Sequence, residues 1–468
     1  MIDDTKSSGY IRFLFFVCIV SALGGLLFGY DTVVIAGTVS MVKSQFALTA
    51  AMEGWFVSAA LQGCLIGVAI AGWASDRFGR KNVLIMSSLF LLLSALGCGI
   101  APEQYTLIVA RIIGGVGVGL ASIVSPLYIS EISPRHLRGR LVSLFQLTIC
   151  LGILVAMFVN AGLAGLSDRL MNTDAEGWMH AMFAKEAWRG MFAMEALPAL
   201  AFLLLCFAIP RSPRWLAAKG RKDEALSTLK KVRATDEEAE QELAEIGETV
   251  SHESASISQL LHPGLRKALF IGIFLAVFSE LSGITIVMYY GPSILENAGF
   301  SMGASLGGHA TIGIVLTLFT LLAVWLVDKV GRRPLMAVGN AGAFLGLAGI
   351  GIMFHLGVTE GLVLVGMMCL FVASFAFSLG PIKWIVMSEI FPTKIRGRAV
   401  GIATLALWLT DVCLSQFFPM IRDSMGVATS FFLFACFLIP QFFFIWKVMP
   451  ETKGKSLEEI EKEWTHAD

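Results

Sequence analysis

The stretch ALGGLLFGYDTVVIAGTVSMV sets one carboxylate, Asp31, inside an apolar run long enough to cross a bilayer. A charge at the centre of a spanning helix costs roughly 2.5–3.5 kcal/mol on insertion scales, so a residue of this kind is kept for what it does. A second charge, Arg111, begins the fourth apolar run in LIVARIIGG. The first and fourth helices of a six-helix unit can be neighbours, which makes Arg111 the expected partner of Asp31. A nearby guanidinium favours the ionised acid and burial favours the protonated one, so the pair has the makings of a group that gains and loses a proton as its surroundings change. A purely structural buried pair is the alternative.

The elements that must hold these charges are set by composition. Of 468 residues, 56% are hydrophobic and 15% charged, against about 25% charged in ordinary soluble domains, and the mean hydropathy is +0.75. That is the composition of a polytopic membrane protein. Acidic and basic residues balance at 35 each, so no global field argues for nucleic acid. Apolar runs of spanning length fall near 13–40, 54–74, 83–101, 106–128, 141–163, 190–209, 267–290, 308–327, 334–355, 361–387, 397–419 and 427–448. They make six and six, separated by a charged segment expected to form short amphipathic or polar helices without a core of its own.

The basic short loops set the orientation. DRFGRK (Asp76 to Lys81), SPRHLRGR (Ser133 to Arg140), DKVGRR (Asp328 to Arg333) and PTKIRGR (Pro392 to Arg398) share one side with the charged segment and the PETKG tail. That side is read as cytoplasmic, with both termini inside. The eight cysteines lie singly, almost all in apolar runs, and read as small buried hydrophobes; neither they nor the scattered histidines have metal-ligand spacing. GGVGVGLAS superficially suggests a dinucleotide loop, but it lies in an apolar run where Gly115 and Gly119 read as a small-xxx-small packing face. No phosphate loop or nucleophile elbow appears, and no enzyme is expected.

The basic loops also repeat. Asp76-Arg77-Phe78-Gly79-Arg80-Lys81 recurs as Asp328-Lys329-Val330-Gly331-Arg332-Arg333, and Ser130-Glu131-Ile132 with Arg138-Gly139-Arg140 recurs as Ser388-Glu389-Ile390 with Arg396-Gly397-Arg398. The chain is therefore divided into a first half (1–210), a cytoplasmic helical linker (211–266), a second half (267–449) and a tail (450–468). Duplicated six-helix halves are transporter architecture, with alternating access from rocking of one half against the other.

These motifs, with GGLLFGYDTVVIAGTV, RIIGGVGVGLASIVSPLYISEISPRHLRGRL, SPRWL, GITIVMYYGPSIL, GPIKWIVMSEIFPTKIRGRA and PETKG in order along the whole chain, resemble the sugar porters of the major facilitator superfamily. The resemblance implies an all-α membrane protein of the major facilitator fold that imports a monosaccharide or polyol with a proton. It implies no cofactor, the proton being the coupling ion, and a monomer in the inner (plasma) membrane. Asp31 would be the protonation site, modulated by Arg111. Asp76, Arg80, Glu131 and Arg138, with Asp328, Arg332, Glu389, Arg396 and Glu451, would clamp the cytoplasmic gate. A facilitative uniporter, or a carrier for an amino-bearing or charged sugar derivative, stays open.

By the same resemblance Gln146, Tyr289, Tyr290, Trp384 and Trp408 match sugar-contacting positions, as fits a ligand whose hydroxyls both donate and accept. The departures bear on substrate identity. Where the seventh helix of the family reads QQxxGIN, this chain has Ser279-Glu280-Leu281-Ser282-Gly283-Ile284-Thr285; Asp411 replaces a common asparagine and Lys383 interrupts GPIKW. Glu280, Thr285, Lys383 and Asp411 are therefore expected at the site, as a buried ion cluster, as readers of a substrate charge or as a second proton site. Lys383 snorkelling to an interface is the plainer possibility. Arg211 in PRSPRW replaces a usual glutamate, which predicts a missing or rewired clamp in the first half.

Overall fold

Among the described residues, twelve helices are long and apolar enough to cross a membrane: Gly9–Gly37, Ala50–Phe78, Arg80–Ile100, Gln104–Ile132, Arg138–Met171, Ala187–Ala208, Leu265–Asn297, Met302–Val327, Arg332–Leu356, Leu362–Ile390, Gly397–Met425 and Val427–Lys447. They are the twelve expected runs, and are called the first to twelfth spans below. At 1.5 Å per residue even the shortest, of 21 residues, is about 31 Å long, the thickness of a hydrocarbon core. The structure is a computed structural model describing residues 4–171, 181–250, 263–358, 361–391 and 395–453; the side chains of Asp328 and Arg396 lie outside the described ones.

The chain divides into two compact units. The first holds residues 1–34, 59–159 and 176–254; the second holds 35–58, 160–175 and 255–468. Within the first unit the fourth span is packed backbone to backbone against the second. A Cβ on Gly115 would stand 1.9 Å from the Ala60 carbonyl oxygen, and one on Gly119 2.4 Å from that of Cys64. The glycine run is thus the packing face expected of it. Without a hydrophobic force between helices in lipid, such close approach is what holds spans together.

The charged segment builds more than its composition promised. Its helices Pro213–Ala218, Lys222–Val232 and Asp236–Val250 enclose two small apolar clusters, Trp215, Leu216 and Ala225, then Leu229, Ala239 and Ile246. Trp215 Nε1 donates to the Asp76 carbonyl at 3.0 Å and Arg233 Nη1 to that of Ile132 at 2.8 Å. These helices are therefore docked on the first unit. Of the eight cysteines, five are buried and Cys413 and Cys436 are exposed on spans, so the buried-hydrophobe reading fails for those two.

Two spans of the second unit are interrupted. The seventh breaks between helices Pro263–Leu281 and Ile284–Asn297. Gly283 there has φ +82°, and a Cβ on it would also meet the Phe434 ring at 2.9 Å, so conformation and packing both require glycine. The tenth passes from Leu362–Ser374 through a π turn, Phe375–Leu379, into Gly380–Ile390. Breaks of this kind in spanning helices are where transporters build binding sites.

Candidate functional site: two buried charge clusters

Asp31 and Arg111 meet as expected. Arg111 Nη1 donates to Asp31 Oδ1 at 2.6 Å and Nη2 to the Asp31 carbonyl at 3.1 Å, with the two residues 0% and 1% exposed. The guanidinium carbon also lies 5.2 Å from the Phe192 ring centroid, a cation–π contact that carries weight in a dry setting. Asp31 sits near the end of the helical part of the first span, just before the 3₁₀ turn Ile35–Gly37.

A third member was missed in the sequence. Glu195 of the sixth span is 1% exposed, at the junction of helices Ala187–Ala193 and Ala196–Ala208, and its carboxyl contacts that of Asp31. Asp31 Oδ2 and Glu195 Oε1 receive no hydrogen from any described N–H or O–H donor. Two carboxyl oxygens in a dry interior repel unless a proton lies between them. The arrangement of one guanidinium and two carboxyls is neutral when it holds one proton, and it can release that proton when the contact is broken. The signal that finds Asp31, a lone acid within an apolar run, finds Glu195 in MFAMEALPALAFLLL as well.

The second cluster lies in the second unit. Lys383 forms an ion pair with Glu280 and donates to Ser279 Oγ at 2.8 Å. Thr285 Oγ1 stands 2.7 Å from Asp411 Oδ1 and 3.4 Å from Glu280 Oε2. Glu280, Lys383 and Asp411 are only 5%, 5% and 6% exposed. The snorkelling reading of Lys383 is thereby overturned, because its ammonium is held inside by an acid and a hydroxyl. The break at Gly283 places Glu280 at the end of one helix and Thr285 at the start of the next, so both face the same charges.

The aromatic positions divide. Trp408 and Tyr289 are buried; Tyr290 is fully buried, with its hydroxyl donating to the Ser415 carbonyl at 2.9 Å and its ring 4.8 Å from that of Phe418. Tyr290 is thus a packing residue in this conformation. Trp384 is 40% exposed, with Lys383 Nζ 5.7 Å from its ring. Gln146, in the first unit, is exposed.

At the basic-loop ends each unit carries its own charge network, and the two are built alike. In the first, Arg80 grips both oxygens of Glu131 at 2.9–3.1 Å and donates to the Ser75 carbonyl at 3.0 Å, while Ser212 Oγ donates to Glu131 at 2.5 Å. In the second, Arg332 grips Glu389 at 2.8 and 3.3 Å and donates to the Val327 carbonyl at 3.2 Å, while Thr452 Oγ1 donates to Glu389 at 2.5 Å. Asp76 adds one exposed bond to Arg80 at 3.1 Å. Arg138 is exposed and makes no ion pair among the described residues; it lines a small cavity with Glu131 and Arg214.

The two networks differ where Arg211 predicted a difference. Glu451 accepts the backbone N–H groups of Arg332 and Arg333 at 3.1 and 3.0 Å, capping the ninth span. Burial pushes the Glu451 carboxyl up, yet these donors with those of Lys453 and Thr452 hold it below the usual carboxylate range. In the first unit the matching Arg211 stacks over Trp215 at 5.8 Å and has no acceptor to offer the start of the third span.

A further network was not anticipated. Glu53, wholly buried, receives Arg422 at 2.9 and 3.0 Å and Lys43 at 2.7 Å. It lies in the second unit at the end of the eleventh span opposite Arg396. Beside it the chain approaches itself so closely that a Cβ on Gly54 would stand 2.0 Å from the Gln416 carbonyl oxygen.

Comparison with known proteins gives the family and the fold. Residues 17–464 match the family described as "Sugar (and other) transporter". The chain is similar to the arabinose-proton symporter of Bacillus subtilis (42% identical, covering 97% of this chain and 95% of that protein) and to the D-xylose-proton symporter of Escherichia coli K12 (37%, covering 97% and 96%). Among solved structures it resembles the inward-open conformation of the xylose transporter XylE from E. coli, at TM-score 0.82 and 35% identity, covering 96% of this chain and 100% of that one.

Proposed function

The chain belongs to the sugar transporter family, and from that premise we propose that it imports a monosaccharide or polyol together with a proton by alternating access. It is a membrane carrier with no enzymatic step and no cofactor. The observation that carries the proton-coupled reading is the buried group of Asp31, Arg111 and Glu195. Facilitated diffusion needs no dry carboxyl pair set against a guanidinium, whereas a carrier that must bind a proton on one side and lose it on the other does. Asp31 takes the proton, Arg111 sets the ease with which it leaves, and Glu195 positions the shared hydrogen.

In the first unit Gln146 is the sugar-binding residue; in the second unit Tyr289, Trp384 and Trp408 with Thr285 and Lys383 bind the sugar, beside the acids Glu280 and Asp411 that stand where relatives use amides. Tyr290 supports that wall from behind. The networks around Arg80 and Glu131 and around Arg332, Glu389 and Glu451 steady the cytoplasmic ends of the helices. The protein acts as a monomer in the plasma membrane, and the basic loops support both termini lying in the cytoplasm. The named relatives make pentoses the first substrates to try.

Liposomes holding the full chain test this directly. Labelled D-xylose, L-arabinose, D-glucose and myo-inositol are offered with and without an inward proton gradient. Gradient-dependent accumulation of a neutral sugar is expected; equilibration that ignores the gradient would make the protein a uniporter, and uptake of charged sugars alone would move the explanation to Glu280, Lys383 and Asp411.

A further inference from the structure

The cluster at the break of the seventh span has a charge count that its own residues leave uneven. Its ionisable groups are Glu280 from the seventh span, Lys383 from the tenth and Asp411 from the eleventh; these are the charged groups that reach Asp411 among the described residues. Lys383 is committed to Glu280 and Ser279. Asp411 is left with the hydroxyl of Thr285 at 2.7 Å and the carboxyl of Glu280 in contact with its own. Thr285 has a single hydrogen for two acids, since it also stands 3.4 Å from Glu280 Oε2. With both acids ionised the cluster carries one uncompensated negative charge in a site no more than 6% exposed. One hydrogen between the carboxyls removes both the charge and the repulsion.

The inventory repeats that of the first cluster: one cation and two touching carboxyls, there Arg111 with Asp31 and Glu195, here Lys383 with Glu280 and Asp411. Each occupies its own unit and is built from three spans. The second straddles Gly283, so a pivot at that break moves Thr285 relative to Glu280 and opens or closes the hydroxyl bridge.

We propose that Glu280 and Asp411 form a second proton-binding site, so that two protons accompany each sugar. The proton enters from the outer water, rests between the two carboxyls while Lys383 neutralises the other charge, and leaves to the inner water when the break pivots. This rests on the reading that Asp31 couples the first proton. A second coupled charge would raise the accumulation sustained by 100 mV from about 40-fold to about 2,000-fold.

The test is the coupling ratio of the full chain in liposomes, taken from the membrane potential at which net flux of D-xylose or L-arabinose down a fixed gradient stops. Native protein is expected to give two protons per sugar, and Asp411→Asn one. Glu280→Gln is a second variant, and sugar exchange without a gradient reports that each is folded. A native ratio of one overturns the inference and leaves symport through Asp31 standing. A native ratio of two that persists in an exchanging Asp411→Asn protein overturns the assignment to this cluster. A native ratio of zero removes the symport reading itself. If neither variant exchanges sugar, the native ratio alone decides, two in favour and one against.

Discussion

Among single residues, coupling turns on acids placed where water is absent. Asp31→Asn keeps the shape and a partner for Arg111 but cannot take a proton. Accumulation against a gradient is expected to fall to what the Glu280 and Asp411 cluster alone sustains, while exchange of labelled sugar continues. Glu195→Gln removes one of the two touching carboxyls and leaves an amide that donates to Asp31, which should hold Asp31 ionised. Measured as proton-driven uptake against external pH, the variant should need a more acidic exterior than the native protein; an unchanged profile would place Glu195 outside the coupling group. Asp31 and Arg111 were legible in the sequence because each is a lone charge in an apolar run. Glu195 carries the same signal and was overlooked because the sixth run reads apolar as a whole. That Lys383 pairs with Glu280 could only be raised as one of several readings, since the rotation of a helix about its axis is not written in a pattern of residue types.

Helix ends decide the next scale. Glu451 caps the ninth span and Arg211 fails to cap the third, so Arg211→Glu should stabilise the first unit by about 1 kcal/mol, the usual worth of a carboxylate at helix N–H groups. Thermal unfolding of the detergent-solubilised protein reads this, and a lowered Tm would contradict it. The Glu451 carboxyl lies below its usual range, so its contribution is complete above the unfolded value near 4.3 and is lost as pH falls through the lower folded value. The Tm difference between native protein and Glu451→Ala should therefore be constant at neutral pH and shrink in acid. Glu53 is the opposite kind of end, a buried acid receiving two cations. Glu53→Gln should cost of the order of 3 kcal/mol because Arg422 stays buried with only the half-exposed Asp423, at 2.8 Å, as counter-charge, whereas the joint replacement Glu53→Met with Arg422→Met should cost far less. Sequence pattern pointed to the Arg80 and Arg332 networks through their repeat. Glu53, lying at the start of an apolar run, reads from sequence as an ordinary solvated helix end, and only the three-dimensional packing seals it.

For the whole molecule, twelve spans and their division by a charged segment followed from apolar length and basic loops alone, because a bilayer leaves the backbone few other choices. The break at Gly283 and the π turn at Phe375–Leu379 did not, since both depend on what packs against them, as the Phe434 ring does against Gly283. These irregular places are where the second charge cluster is assembled, so the part of the site hardest to foresee is the part that departs most from the family. That sugar and proton move together through Asp31 is tested most directly by giving energy-depleted cells expressing the protein the sugar that the liposome panel shows to be accumulated, and following external pH. A sugar-dependent alkalinisation is expected in the native protein, and one smaller by a proton per sugar in Asp31→Asn that still exchanges sugar. Undiminished alkalinisation per sugar in that variant would contradict coupling through Asp31.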